Sequence, residues 1–560
     1  MRFKNRRPVV ALGLAIIMAA CLAACGGGDD SPANSTTPEG TTGTTTPAKP
    51  QNDFQRACTD CAAADDATYS GSGVGIWSVG NTGATAKAAQ VNITMAGGLS
   101  GEDVRVVYTN PTDTPAPFSM FVKASAINRA SVRSVQLPKA TDGEIRARIQ
   151  EFNRSGFAKL LGPRASESQM GIAGVRTQAS TVYAVNDQRQ WNDMNGVART
   201  ATLVKQQAAA DGKMINLWVE HTELAPDRIT QAIVDRTLDT YARAGGVYDM
   251  LTAVGGPLWG NQPYKNLLAP NQPIDLVLLN FDQNAKPFGM VGYFHGLNSF
   301  LQSSAPKSNE SVSLYLDTET MYLGGGFGLQ ASLMTLAHEG MHMQNFYRRA
   351  VLNGPEFAFD TWLEEQSAMM MEDWASFNVD ATFNNVRDIR IPDFVATTGY
   401  TCPLTTFTSG GDAPCDSYAV NGAFGGFLNR QLGLGFYKDL LTRMDSTDSK
   451  TVLDNAIKAA RADSSFSAEA ERFAVTMASL MPSSGGASRY SFPARVEGGF
   501  QVPAVNLKRS QAIQSLPTSP ATLAAHAAFV SPRGSVTGTY ADTITVPPGT
   551  NAWVVIQPKE

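Results

Sequence analysis

The chain has 560 residues, with 45 Lys and Arg against 50 Asp and Glu and a formal net charge of −5. That length exceeds one compact core, so about two to four domains are expected; 43% hydrophobic and 9% aromatic residues suffice to build them. A chain with more acidic than basic residues speaks against nucleic acid as a partner.

The first elements in chain order concern export. Arg2, Lys4, Arg6 and Arg7 form a basic start, and Val9 to Ala20 an apolar run too short to span a bilayer with these flanks. Leu22-Ala23-Ala24-Cys25-Gly26 then resembles a bacterial lipobox, which predicts a signal peptide over 1–24 and lipidation of Cys25. Acylation of that Cys with more than one chain meets the requirement for stable membrane anchoring. Gly26, in place of the Asp that retains lipoproteins at the inner membrane, predicts an outer-membrane cell-envelope location. Loss of the signal leaves 41 basic against 50 acidic residues, a net of −9. Residues 25–52 comprise Cys25 and a flexible linker rich in Gly, Ser, Thr and Pro.

An N-terminal β-rich domain is expected over 53–185. Its strands are read at 73–79, 90–95, 103–108 and 118–122, with a helix at about 142–161 leading onward. A catalytic-type α+β domain follows over 186–483. It opens with a hairpin, Thr200–Lys205 and Lys213–Glu220 around Asp211-Gly212, then a long amphipathic helix from Arg228 to Thr252 and strands at 274–280 and 311–317. The Gly324–Gly328 break precedes a helix at about 329–352, and further helices are read at about 361–375, 421–443 and 467–480. A C-terminal β-rich segment over 484–560 ends in strands at 543–546 and 553–556. After signal removal and lipidation, Cys58, Cys61, Cys402 and Cys415 remain; of three possible pairings the local one, Cys58–Cys61 with Cys402–Cys415, is favoured in an oxidising compartment.

The chemistry concentrates on His338-Glu339-Gly340-Met341-His342. Imidazoles four apart on a helix point from one face and can chelate a single tetrahedral Zn2+, with Glu339 beside the open coordination position. Gly340 costs a helix about 1 kcal/mol relative to Ala. A third ligand is expected on the next helix. Thr361 and Glu364 have capping-box spacing, which would tie Glu364 to the helix start and leave Glu365 as the free carboxylate. Glu372, two turns beyond Glu365, either orients a ligand imidazole or is a solvated helix residue. His221 and His526 read as structural, and His295 as a residue that touches substrate or lies beside the cleft.

His338–His342 followed by Trp362-Leu363-Glu364-Glu365 is similar to the gluzincins. Together with Leu314–Asp317, Ala337–Met343 and Trp362–Asp373, it resembles the hyicolysin family of bacterial neutral metallopeptidases over roughly 200–480. Glu364 stands where Asn is usual, Gln366 where Gly is frequent, and Ala368 replaces Ser. The resemblance implies a gluzincin-like zincin fold, Zn2+ on His338, His342 and Glu365, and Glu339 as general base in peptide hydrolysis. It also implies protein or peptide substrates, a strand at 311–317 that pairs with extended substrate, and a Tyr that stabilises the oxyanion. Tyr418 is the candidate for that role, with Tyr400 second. Endopeptidase action is expected; the alternatives are an aminopeptidase on the same scaffold and a non-catalytic surface-binding lipoprotein.

Overall fold

The computed structural model describes residues 52–83, 87–122, 143–164, 182–397, 399–408 and 415–559. The signal peptide, Cys25 and nearly all of the linker lie outside these residues. Among the described residues, no helix is long and apolar enough to cross a membrane.

The chain enters through β1 (Gln55–Arg56), β2 (Gly75–Asn81), β3 (Ala89–Thr109) and β4 (Ala116–Pro117). The strands expected at 90–95 and 103–108 are one strand, β3. Gly97, Gly98 and Gly101, all at positive φ, let it distort between the two halves without ending. The strand expected at 118–122 is turn, because Pro115 and Pro117 leave only β4 able to pair.

The central sheet follows: β5 (Gln188–Asn192), β6 (Ala198–Ala208), β7 (Met214–Glu220), β8 (Ile274–Leu279), β9 (Gly292–Tyr293) and β10 (Val312–Asp317), in the order β5-β6-β7-β8-β10-β9. The hairpin β6–β7 is antiparallel, β7, β8 and β10 run parallel, and β9 closes the edge antiparallel to β10. Every residue of β8 and β10 is buried, as both faces of a parallel strand pair must be covered. Leu276, Leu278, Leu314 and Leu316 face the main helical core, and Val277, Leu279 and Tyr315 face a smaller cluster with Trp191 and Trp218. At Tyr315 and Leu316 the strand at 311–317 is therefore paired on both sides, and a substrate strand cannot pair with it there. The edge belongs to β9, whose Tyr293 stacks on Tyr315 at 4.5 Å.

The helix expected from Arg228 to Thr252 is two, Gln231–Ala242 and Val247–Gly255. Gly245, at φ 68°, turns the chain between them. The helix carrying His338 runs Gly325–Asn345 and continues as a π-helical turn, Phe346–Val351. It packs against helix Thr361–Val379, which packs in turn on Ser417–Thr442, bent at Gly433. Helix Ser449–Ala460, which the sequence reading missed, and helix Phe466–Ser479 complete the layer.

The glycine run before the His338 helix is a packing device. A short helix, Thr318–Leu323, turns directly into it, and a Cβ at Gly328 would overlap the Thr320 carbonyl oxygen. That oxygen belongs to the backbone and cannot swing aside. Gly328→Ala is thus expected to destabilise the protein by about 1–3 kcal/mol despite Ala's better helix propensity; an unchanged urea midpoint would refute the packing argument.

The last strands are β11 (Arg495–Glu497), β12 (Phe500–Val502), β13 (Thr522–Leu523), β14 (Ala528–Val546) and β15 (Thr550–Gln557). β14 and β15 do not form a segment of their own. They complete a five-stranded sheet in the order β1-β2-β15-β3-β14, so the expected boundaries at 185 and 484 divide one β module built from both ends of the chain. β15 supplies β2 and β3 with a shared partner that neither has locally. One face of the sheet encloses Trp77, Val106 and Val554. The other rests on helix Phe466–Ser479, where Arg105 donates to the Ala478 carbonyl at 2.9 Å. Cys58 is bonded to Cys61 and Cys402 to Cys415.

Candidate metal centre

His338 and His342 project from one face of the Gly325–Asn345 helix with ring centroids 4.7 Å apart. Glu365 reaches them from helix Thr361–Val379: its Oε2 is 3.2 Å from His338 Nε2 and its Oε1 is 3.7 Å from His342 Nε2. One potential ligand atom from each of the three lies within 4.8 Å of the others. Gly340, between the imidazoles, faces helix Val247–Gly255, where a Cβ would overlap Leu251 Cδ1.

The far sides of both imidazoles also face carboxylates. His338 Nδ1 lies 2.9 Å from Glu372 Oε1, and Glu372 is itself fixed by Asn385 and by Arg390 at 3.5 Å. His342 Nδ1 lies 2.8 Å from Glu364 Oε1, and Asn345 donates to the other Glu364 oxygen at 3.1 Å. The capping box expected from Thr361 and Glu364 does not form. The helix is preceded by Asp360, whose backbone carbonyl accepts from Leu363 and Glu364, and the Glu364 side chain turns inward to His342. The sequence argument arrived at Glu365 by giving Glu364 the wrong partner.

Three carboxylates around two imidazoles make a site that calls for positive charge. Burial disfavours charge on His338, yet the Glu372 carboxylate and hydrogen bonding with Glu365 outweigh it and raise its pKa to about 10. Burial likewise opposes charge on Glu365, but the His342 and His338 charges hold its pKa at about 2. Glu365 Oε2, though buried, makes no well-aligned hydrogen bond. A divalent cation answers both features, and two imidazole nitrogens with one carboxylate oxygen form a donor set for catalytic zinc. If Glu372 and Glu364 orient the imidazoles, Glu372→Gln or Glu364→Gln is expected to weaken zinc binding about 10–100-fold. Competition with a chromophoric chelator measures this, and unchanged affinity would show both carboxylates to be bystanders.

The three side chains line one cleft. Glu339 faces the same cleft and accepts from the Phe294 backbone N–H, just beyond β9, at 2.8 Å. Tyr418, in the first turn of its helix, also lines it. The Asp416 side chain accepts from the Tyr418 and Ala419 N–H groups and fixes that turn. The Tyr418 ring centroid is 6.4 Å from that of His338, and its hydroxyl accepts from Arg146 Nη1 at 2.9 Å. Burial pushes the phenol's pKa up against the lowering effect of Arg146. Tyr400 stands elsewhere, buried against Phe394 and accepting from Gln514 at 3.1 Å. His295 packs edge-on to Phe152, with burial lowering its pKa to about 4, and His526 pairs with Asp113 at 2.7 Å.

Sequence reasoning missed helix Gly143–Arg154 as part of the site. It supplies Arg146, and Gln150, which donates to Glu365 Oε1 at 2.5 Å across 215 residues of sequence. No local pattern marks either residue. A helix-face reading of 143–154 places positions 146, 149, 150 and 153 together, and that was the available signal.

Two imidazoles and a carboxylate thus form a possible metal site, with the further carboxylate of Glu339 lining the same cleft. Residues 195–557 match the model of the peptidase M30 family. The chain belongs to that family, and zinc is the metal its site takes. Residues 56–121 match a domain of unknown function, DUF8571. No curated protein matches. Among solved structures, the chain is similar to the crystal structure of an M1 zinc metallopeptidase from Deinococcus radiodurans at 13% identity, covering 72% of this chain and 69% of that one with a TM-score of 0.28. A point mutant of that enzyme matches at 14% identity and TM-score 0.28, over 52% of this chain and 55% of the other. This match thus spans about half the length of the mutant chain.

Proposed function

We propose that the protein is a gluzincin-type zinc metalloendopeptidase in which His338, His342 and Glu365 hold the ion and Glu339 is the general base. The observation that carries this reading is the convergence of these four side chains on one cleft, with Glu339 held by the Phe294 N–H rather than by another charged group. Bound zinc supplies a Lewis acid that polarises the scissile carbonyl and acidifies water. Glu339 takes the proton of the attacking water and returns it to the departing amine. Tyr418 turns its hydroxyl toward the oxygen on which negative charge develops. The free edge for an extended substrate is that of β9, through main-chain pairing. One turn beyond His342 the cleft wall is apolar, with Phe346, Ala350 and Phe359, which favours cuts beside apolar side chains.

The membrane part of the proposal rests on Leu22–Gly26 alone: lipidation of Cys25 tethers the enzyme to the cell envelope, at the outer membrane. Cys25→Ala is expected to release the protein from the membrane fraction.

Metal analysis of the purified chain should return about one zinc, and a chelator should stop cleavage that zinc restores. The termini of peptides released from unfolded casein then separate the readings. Internal cuts support the endopeptidase, stepwise removal of N-terminal residues supports the aminopeptidase, and zinc-loaded protein without any cleavage supports a surface-binding role.

A further inference from the structure

Helix Gly143–Arg154 lies between the stretches that the two family models match, 56–121 and 195–557. Its residues Arg146, Ile149, Gln150 and Asn153 nonetheless line the cleft, following the i, i+3, i+4, i+7 spacing of one helical face. The helix is built into the site. Gln150 donates to Glu365, while Asn153 donates to the Phe294 carbonyl at 2.9 Å and accepts from the Gly296 N–H at 2.8 Å. Arg148 donates to the Met194 carbonyl at 2.8 Å. One helix therefore braces the expected third ligand and the segment whose N–H holds Glu339.

Arg146 makes the most specific of these contacts. A guanidinium only donates, so at 2.9 Å it occupies a lone pair of the Tyr418 oxygen. The phenol has a single proton, which cannot point at Arg146. Among the described residues no group accepts that proton, and Tyr418 faces the cleft. The proton is left for whatever oxygen enters the site. Resting on the reading of Tyr418 as oxyanion donor, we propose that Arg146 is a positioning residue for peptide hydrolysis: it fixes the Tyr418 hydroxyl as a donor into the cleft, and so brings helix 143–154 into the catalytic unit.

The test uses the full chain loaded with zinc, assayed on an internally quenched peptide, with binding of a phosphinic peptide measured by calorimetry as a tetrahedral mimic. Arg146→Met keeps much of the side chain's length but cannot donate. It is expected to lower kcat about 10–100-fold, with KM within about twofold, and to weaken the phosphinic peptide by a similar factor; loss of a direct oxyanion donor costs about 10²–10³-fold. Arg146→Met with Tyr418→Phe should be no slower than Tyr418→Phe alone, since Arg146 acts through the hydroxyl. Arg146→Lys, which can still donate, should recover most of the loss. A raised KM with kcat intact would mean that Arg146 binds substrate directly, and losses that multiply in the double variant would mean independent action; either overturns the proposal. Should Arg146→Met not fold, the same comparison is made with Arg146→Lys in the Tyr418→Phe background, where any further loss of kcat overturns it. Hydrolysis that survives Glu339→Gln defeats the reading of the whole site, whereas hydrolysis that needs Glu339 but ignores Arg146 defeats this inference alone.

Discussion

Glu339→Gln is expected to lower peptide hydrolysis by about 10²–10⁴-fold while zinc stays near one per chain. The substitution isolates one property. A glutamine fills the same volume, and its carbonyl oxygen can still accept the Phe294 N–H, which Glu339 Oε2 accepts at 2.8 Å. It cannot take a proton. Glu339 is not one of the three groups that could hold the ion, so the ion should stay bound when it is changed. The pair of measurements, turnover on a quenched peptide and elemental analysis of the same preparation, separates loss of the base from loss of the metal. Turnover within tenfold of wild type at full zinc content would remove Glu339 from the mechanism.

The largest expected effect on stability lies behind the metal centre. Asp373 and Arg430 are both fully buried and pair at 2.7 Å. Asp373 also accepts from Asn384 at 2.8 Å and Asn429 at 3.0 Å, and Arg430 donates further to the Gly426 and Pro503 carbonyls. This cluster joins the helix of Glu364, Glu365 and Glu372 to the helix of Tyr418. Asp373→Ala leaves a buried guanidinium without its counter-charge and is expected to cost about 3–5 kcal/mol, read from denaturant midpoints. Asp373→Leu combined with Arg430→Met removes both charges and should cost less than the single change. A single variant within about 1 kcal/mol of wild type would contradict the argument.

The contrast between what was legible and what was not follows sequence separation. The spacing of His338 and His342 is a local property, since a helix alone brings residues four apart together. The hairpin β6–β7 and the helices around 361–379 and 466–479 were readable for the same reason. What failed were inferences needing knowledge of a distant partner. Thr361 and Glu364 match a capping pattern, but the His342 imidazole, 22 residues earlier, offers Glu364 a half-buried partner. The strand at 311–317 was read as accessible because nothing local reports that Gly292–Tyr293 will cover its side. Arg146 reaches Tyr418 across 272 residues, and only the assembled fold brings them together. Gly245 and Gly433 carried a usable signal, and reading through them merged or hid helix breaks.

The position of β15 bears on how the molecule is made. Trp553 on β15 donates to Thr109 on β3 across 444 residues, and β15 sits between β2 and β3 in the sheet. During synthesis the N-terminal strands therefore emerge long before the strand that must be inserted between them. Closing so long a loop adds only slowly to the entropic cost, but pairings this distant in sequence form late. Strands β1 to β3 should stay protease-sensitive on the nascent chain until β15 arrives. Pulse-labelled chains stopped before residue 550 and challenged with protease would reveal that waiting period.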